Sequence, residues 1–214
     1  MTLRANLRAL LSEQTAGDAA HDVAHTDRAW ANAQVIASGE PACDMTVLLA
    51  ACYLHDLVTL PKDSPERARA SALSAQAARP PLAALGLCDD QINAACHAIE
   101  AHSFSANIMP QTLEAKILQD ADRIEALGAI GIARCFATTG VLGGALFHGL
   151  DPFGKSRPLN DKAYAVDHFK VKLLRLPETM QTTSGRNLAE DRANVLRDFL
   201  DQLASELDVP ASGW

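Results

Sequence analysis

The sequence predicts an all-α protein folded as a single domain, and three observations support this prediction. Apolar residues recur with helical periodicity along nearly the whole chain. Val and Ile are too sparse, and alternating apolar and polar runs are too short, to build a β-sheet. The chain has 214 residues, of which 48% are apolar and only 5% aromatic, which is enough for one well-buried core.

Eight helices are predicted, and residues that break helices separate several of them. Gly39-Glu40-Pro41 ends the second helix, residues 60–65 turn the chain after the third, and Arg79-Pro80-Pro81 stops the fourth. We expect the Gly-rich residues from about 139 to 160 to form a flexible flap, an inserted loop or simply a connector. The predicted helices cover about residues 2–14, 22–38, 44–58, 65–78, 89–103, 111–136, 161–175 and 186–207.

Composition excludes several classes of protein. The longest apolar stretch, residues 45–60, contains Asp56 and is too short to cross a bilayer. The N-terminus lacks a basic stretch followed by an apolar segment, so we expect a cytoplasmic protein without a membrane partner. The formal charge of −7 argues against binding a nucleic-acid polymer, because such binding needs many Lys and Arg contacts to phosphate. A small anionic substrate needs only a few cations in one cleft.

The five cysteines are an odd number, are scattered and never form C-x-x-C. This pattern predicts reduced thiols that serve mainly as small apolar residues, rather than disulfides or nucleophiles.

Residues 149–156, GLDPFGKS, match the phosphate-loop pattern G-x-x-x-x-G-K-[ST]. A functional phosphate loop lies between a strand and a helix, and neither is predicted here. Pro152 also removes a backbone donor inside the loop. A nucleotide triphosphatase of this type is therefore an alternative that the surroundings of the motif disfavour.

His55 and Asp56 are an ionisable pair at the end of an otherwise apolar run, residues 47–54. Burial of a carboxylate without partners costs several kcal/mol, so this pair needs either a polar network or a cation. Considered alone, the dipeptide also has a structural interpretation. In it, His55 is hydrogen-bonded to the backbone and Asp56 pairs with an Arg. Imidazole and carboxylate also suit Mn, Fe, Ni, Mg or Zn.

His25 and Asp122 can supply further ligands of the same kinds. His25 lies on an amphipathic segment with small residues at i+4 and i+7, which leaves space beside its ring. Asp120 and Asp122 project about 200° apart on a helix, so only one of them can face a site. Asp122 shares its stripe with small apolar residues, whereas Asp120 is expected in a surface ion pair.

The order and approximate spacing of His25, His55-Asp56 and Asp122 resemble the H...HD...D signature of the HD-domain metal-dependent phosphohydrolases. The similarity is to a branch of small, single-domain bacterial members and runs from about residue 20 to 195. Further similar segments are residues 49–56, 60–67, 97–106 and 119–131.

The resemblance implies an all-α fold and one divalent cation held by His25, His55, Asp56 and Asp122. Mn or Mg is the expected ion, with Fe, Co, Ni or Zn as alternatives. It also implies hydrolysis of a phosphate ester or phosphoanhydride, with nucleotides as the expected substrates of a pyrophosphohydrolase or phosphomonoesterase. The alternative function is a sensing module that binds a metal and a nucleotide without turnover.

Other residues are candidates for the catalytic pocket. Lys62 and Arg67 follow the His-Asp helix and can meet charge that develops on phosphate, although solvent-facing roles are as reasonable. His97 and His102 are candidate proton donors, partners of a ligand, or ligands of a second ion. Asp56 can both bind the ion and orient the attacking water. The sequence leaves the oligomeric state open, with a homodimer as one possibility.

Overall fold

The structure is a computed structural model that describes residues 2–14, 23–60, 64, 66–103, 106–210 and 213–214. Within these residues there are nine α-helices and two 3-10 helices, and the only strand-like pairing is a parallel bridge between Ala145 and Tyr164. The prediction of an all-α fold is confirmed. The α-helices are α1 Leu3–Gln14, α2 Val23–Ala37, α3 Met45–Leu54, α4 Ala70–Ala84, α5 Asp89–His102, α6 Leu113–Ile124, α7 Gly128–Val141, α8 Ala165–Val171 and α9 Thr183–Glu206. The 3-10 helices are Arg67–Arg69 and Leu173–Thr179.

The helix predicted over residues 111–136 is two helices, α6 and α7. Leu127 adopts an extended conformation, and Gly128 follows it with φ +66°, in the left-handed region that favours glycine. A Cβ at Gly131 would lie 2.2 Å from the carbonyl oxygen of Ala126, so the chain can fold back closely only with glycine there. Periodicity missed this break because both halves have apolar faces.

The prediction that Pro80 and Pro81 stop the fourth helix is wrong, since α4 continues to Ala84. Proline removes two backbone donors from the last turns, which disfavours a helix by propensity alone. Leu82 lies just beyond the prolines and is fully buried, as is Ala78 just before them. Packing of this stretch in the core therefore outweighs the lost hydrogen bonds.

The chain divides into two compact units, Met1–Asp122 and Arg123–Trp214. The organisation as a single domain remains a prediction. In the first unit α3 is the central helix and packs against α1, α2, α4 and α5. Its N-terminus is capped by Asp44, whose Oδ1 accepts from the backbone N of Thr46 at 2.8 Å. Its fully buried residues include Leu48, Ala50, Ala51, Cys52, Tyr53 and Leu54.

The second unit contains α7, α8 and α9 and an aromatic cluster in which Phe169 packs against Phe136 and Phe199. The segment after α7 lacks regular secondary structure, as expected. Its predicted flexibility stays a prediction. Asp167 of α8 is fully buried and accepts hydrogen bonds from Arg157 and the backbone of Asn160, which fastens the segment to α8.

By length and hydropathy, none of the helices within the described ranges could cross a membrane alone. The pair Leu113–Ile124 and Gly128–Val141 meets the criterion only when combined, and the two helices are bent by 62° at their junction.

Candidate metal centre

His55 is fully buried at the C-terminal end of α3, where it follows the last helical residue, Leu54. Its Nδ1 lies 2.9 Å from the carbonyl oxygen of Cys52. A carbonyl can only accept, so Nδ1 carries the proton and Nε2 of the neutral ring presents a lone pair. The backbone turn at the end of α3 thus prepares His55 to bind a cation through Nε2.

The four side chains predicted as metal ligands converge around His55 Nε2. His25 Nε2 lies 3.3 Å from it, Asp56 Oδ2 3.4 Å and Asp122 Oδ1 3.9 Å. His25 Nε2 and Asp122 Oδ1 are 3.5 Å apart. These residues come from α2, the end of α3, and α6, so three separate helices bring each of the other ligand atoms close to His55 Nε2.

The donor set fits a divalent cation. The lone pair of His55 Nε2 faces two carboxylate oxygens, and acceptors repel one another unless a proton or a cation lies between them. Ligand atoms about 2.1 Å from one ion lie about 3 Å from their neighbours in an octahedron. The separations from His55 Nε2, 3.3 to 3.9 Å, are somewhat longer than this. Two neutral imidazoles and two carboxylates would balance a charge of +2 and leave two of six positions open.

Electrostatics keep both carboxylates ionised. Burial would raise the pKa of Asp56, but the neighbouring histidines, His55 first, outweigh it and hold the pKa well below its ordinary value. The same balance lowers the pKa of Asp122, where burial is opposed by hydrogen bonding to His25 and by the charges of the neighbouring rings. Burial is the main cause of the lowered pKa of His55, which favours the neutral ring that a metal ion requires.

His102 is a third imidazole in the same place. It is buried at the end of α5, and its Nδ1 donates to the carbonyl oxygen of Ile99 at 2.6 Å. Its Nε2 lies 3.5 Å from Asp56 Oδ1, and its ring centroid is 4.8 Å from that of His55. Although burial lowers the pKa of His102, its hydrogen bond to Asp56 and the charge of Asp122 raise it above the ordinary value.

Ligand atoms come within 4.8 Å of one another in two groups of the described residues, His25, His55 and Asp122, and His55, Asp56 and His102. The groups share His55. Since its Nε2 has one lone pair, that atom can bind only one ion at a time.

The remaining predicted pocket residues lie elsewhere or outside the described residues. His97 belongs to neither convergent group; its Nε2 accepts from the backbone N of Gln111 at 3.0 Å, and it lines a cleft of about 270 Å³ between α4 and α5. Arg67 is exposed on the first 3-10 helix. Lys62 lies outside the described residues. Their catalytic roles stay predictions.

Sequence reasoning misjudged one residue beside the centre and missed two others. Asp120 is fully buried, so the expected surface ion pair is wrong. Gln119 donates to the carbonyl oxygen of Ala101, the residue before His102, at 2.9 Å. Asn32 donates to the carbonyl oxygen of Ala121, the residue before Asp122, at 3.4 Å. The available signal was that Asn32 lies between two alanines and that Gln119 follows the apolar pair Ile117-Leu118.

The segment that matches the phosphate-loop pattern is a closed turn around a carboxylate. Asp151 accepts from the backbone N of Lys155 at 2.9 Å and from the backbone N of Ser156 at 2.8 Å. The Ser156 hydroxyl also donates to Asp151, at 2.9 Å. These are the donors that a phosphate loop would direct at its ligand, and no helix begins before Ala165 in this described segment. The geometry disfavours the triphosphatase alternative.

Comparisons with known proteins agree with this geometry. Residues 22–127 match the family described as HD domain. The chain is 33% identical to YpgQ of Bacillus subtilis over 212 residues, which cover 97% of this chain and 92% of YpgQ. The crystal structure of Bacillus subtilis YpgQ in complex with ADP superposes with a TM-score of 0.73 at 29% identity, covering 97% of this chain and 95% of YpgQ. An HD-superfamily hydrolase from Bacillus thuringiensis superposes with a TM-score of 0.76 at 25% identity, covering 97% of both chains.

Proposed function

This chain belongs to the HD-domain superfamily, and from that membership and its converging side chains we propose that it is a divalent-metal-dependent phosphohydrolase. The observation that carries the proposal is the approach of Asp56 Oδ2 and Asp122 Oδ1, at 3.4 and 3.9 Å, to the lone pair of His55 Nε2, with His25 Nε2 3.3 Å away. A purely structural polar network would place donors opposite acceptors. Here the lone pair of His55 Nε2 faces carboxylate oxygens of Asp56 and Asp122, which is the arrangement that a cation stabilises.

In this proposal His25, His55, Asp56 and Asp122 hold one divalent ion, with Mn or Mg expected. The bound ion would act as a Lewis acid that polarises a phosphoryl oxygen and activates water for attack. Asp56 has a second role, because the oxygen not directed at His55 can orient the attacking water. His102 contacts that oxygen at 3.5 Å, so it fixes the orientation of the carboxylate.

The proposed substrates are small phosphorylated metabolites, with nucleoside diphosphates and triphosphates first. Two facts support nucleotides: the ADP complex of the related YpgQ, and the similarity of the two chains over nearly their whole lengths. The reaction is then the cleavage of a phosphoanhydride or a phosphate monoester. An acidic chain requires local cations to hold the phosphates, and Arg67 and Lys62 are the proposed sources.

The first test is metal content followed by turnover. Purified protein is analysed for bound metal and then assayed with nucleotides and phosphate esters in the presence of Mn, Mg, Co, Ni or Zn. Asp56→Asn and Asp122→Asn should each lower metal affinity and activity by at least about 100-fold, since loss of even an indirect partner of a ligand costs 10–100-fold. Asp198→Asn, an exposed substitution on α9, is the matched control and should change neither.

A second readout separates binding from catalysis. Metal at about 100 times its Kd should stabilise the wild type by about 2.7 kcal/mol, and the two site variants should lose this effect. If both variants keep full metal occupancy, the ligand assignment is wrong. If the wild type binds metal and nucleotide but hydrolyses nothing on the panel, the protein is a sensing module.

A further inference from the structure

A cleft between α4 and α5 is separate from the candidate metal centre. The two helices run antiparallel: Arg79 Nη1 donates to Asn93 Oδ1 at 2.9 Å, and the Cys96 thiol donates to the carbonyl oxygen of Ala75 at 3.2 Å. The cleft has a volume of about 270 Å³, and none of the four candidate metal ligands lines it. It is therefore a second place in the first unit where a small molecule can bind.

Two opposite charges line this cleft without pairing with each other. Arg79 lies at the end of the cleft marked by Asn93. Glu100 lies two turns further along α5, about 10 Å at 1.5 Å per residue. Glu100 is half-buried and forms no hydrogen bond or ion pair with any residue that the structure describes. A guanidinium and a carboxylate that share a cleft but not a contact leave room for a ligand between them.

The floor of the cleft is small, apolar and close to both charges. Cys96 is 4% exposed and Ala75 6%. Burial raises the pKa of the Cys96 thiol, the charge of Arg79 opposes this rise, and the charge of Glu100 adds to it. Both charged groups therefore act on the same space above Cys96.

The remaining polar groups of the cleft add donors to those of Arg79. His97 Nε2 accepts from the backbone N of Gln111 at 3.0 Å, so the neutral ring carries its proton on Nδ1. Asn93 accepts from Arg79 through Oδ1, which leaves its amide N–H groups without a partner among the described residues. Only Glu100 contributes a carboxylate. The cleft thus suits a ligand that has one negative and one positive group.

We propose that this cleft binds a free α-amino acid with a small apolar side chain. Its carboxylate accepts from Arg79, its ammonium donates to Glu100, and its side chain packs on the floor formed by Ala75 and Cys96. The volume of about 270 Å³ is that of about nine waters at roughly 30 Å³ each. This size suits leucine, valine or methionine.

A nucleotide is a poorer occupant of the cleft. AMP is more than twice as large as leucine, and a phosphate monoester carries a charge of about −2 near neutral pH. The cleft offers one guanidinium and also contains Glu100, in a chain of net charge −7. One Arg and one Glu balance each other, which favours a zwitterion over an anion. The proposal does not depend on the proposed hydrolase activity.

The test is calorimetric titration of the full chain with L-leucine, L-valine and L-methionine. A ligand of this size should bind with a Kd between about 10 μM and 1 mM. Leucinamide lacks the carboxylate and the keto acid of leucine lacks the ammonium, so each should bind at least about 10-fold more weakly than leucine. AMP should not displace leucine. If none of the three amino acids binds at about 10 mM, or if AMP displaces leucine, the proposal is wrong.

Two variants test the two ends of the ligand. Glu100→Gln should weaken leucine binding at least about 10-fold, yet bind the keto acid no more weakly than the wild type, because the repulsion between two carboxylates is removed. Arg79→Gln should likewise weaken leucine and leave the binding of leucinamide unchanged. These opposite effects on paired ligands separate a lost contact from a misfolded variant. Unchanged leucine binding in either variant would overturn the proposal.

Two further variants serve as controls. Asp90→Asn removes an exposed carboxylate near the start of α5, so it matches the loss of charge in Glu100→Gln and should bind leucine like the wild type. Asp56→Asn alters the candidate metal centre and should also leave leucine binding unchanged. If Asp56→Asn abolished leucine binding, the amino acid would be assigned to the metal centre and the cleft would lose its proposed ligand.

Discussion

Replacing Asp167 by alanine should strongly destabilise the second unit. The carboxylate is fully buried and accepts two hydrogen bonds from Arg157, from Nη1 at 2.6 Å and from Nη2 at 2.7 Å. It also accepts from the backbone N of Asn160 at 2.6 Å. Asp167→Ala leaves the backbone N–H of Asn160 without this acceptor. It also leaves a guanidinium that is only 15% exposed with two carbonyl oxygens, of Asp151 and Pro158, but no carboxylate.

The magnitude follows from the burial of the pair. Removal of one partner of a buried ion pair costs about 3–5 kcal/mol, because the other charge stays buried without its counter-charge. Asp161 supplies the matched control in the same loop, since its contact with His168 Nδ1, at 3.2 Å, is partly exposed. Asp161→Ala should cost less than about 1 kcal/mol.

The assay is urea unfolding at neutral pH, with the free energy of unfolding compared among the wild type and the variants. The double variant Asp167→Leu with Arg157→Met removes both charges and should recover most of the loss. If Asp167→Ala and Asp161→Ala differ by less than about 0.5 kcal/mol, the buried pair does not hold this segment and the reasoning fails.

Two further predictions concern titration and thiol reactivity. Hydrogen bonds from the backbone N–H groups of Ser156 and Lys155 lower the pKa of Asp151 to about 2, so the stabilisation they give is complete above the ordinary value of 3.8 and is lost as the pH falls toward 2. The difference in unfolding free energy between the wild type and Asp151→Asn should therefore shrink from pH 5 to pH 2 in urea titrations, and a constant difference would contradict this. Burial, with the charges of Glu114 and Asp44, raises the pKa of Cys43 to about 12, whereas the Cys88 side chain is exposed. Mass spectrometry after brief alkylation at pH 8 should find Cys88 modified well before Cys43, and the reverse order would be inconsistent with these environments.

The candidate site could be predicted because its residues stand out from their surroundings. His55 and Asp56 end an apolar run, and a buried ionisable pair needs a partner whatever the fold. Asp122 lies beside His25 at the candidate centre, and its role as a ligand stays a prediction. Asp120, which was expected at the surface, is fully buried. The apolar face of a helix shows which side packs against the core. It cannot show that another part of the fold covers the opposite side as well.

The sequence by itself determined the helical class of this protein and the residue types available for a cation, because periodicity and side-chain chemistry are local properties. Only the tertiary structure decided that α4 runs through two prolines, that α6 and α7 separate at Gly128, and that His102 joins the centre while His97 contacts Gln111. Each of these outcomes depends on packing between segments far apart in the chain. The free energy of such packing exceeds the helix propensities of a few residues, and it cannot be read from a local sequence pattern.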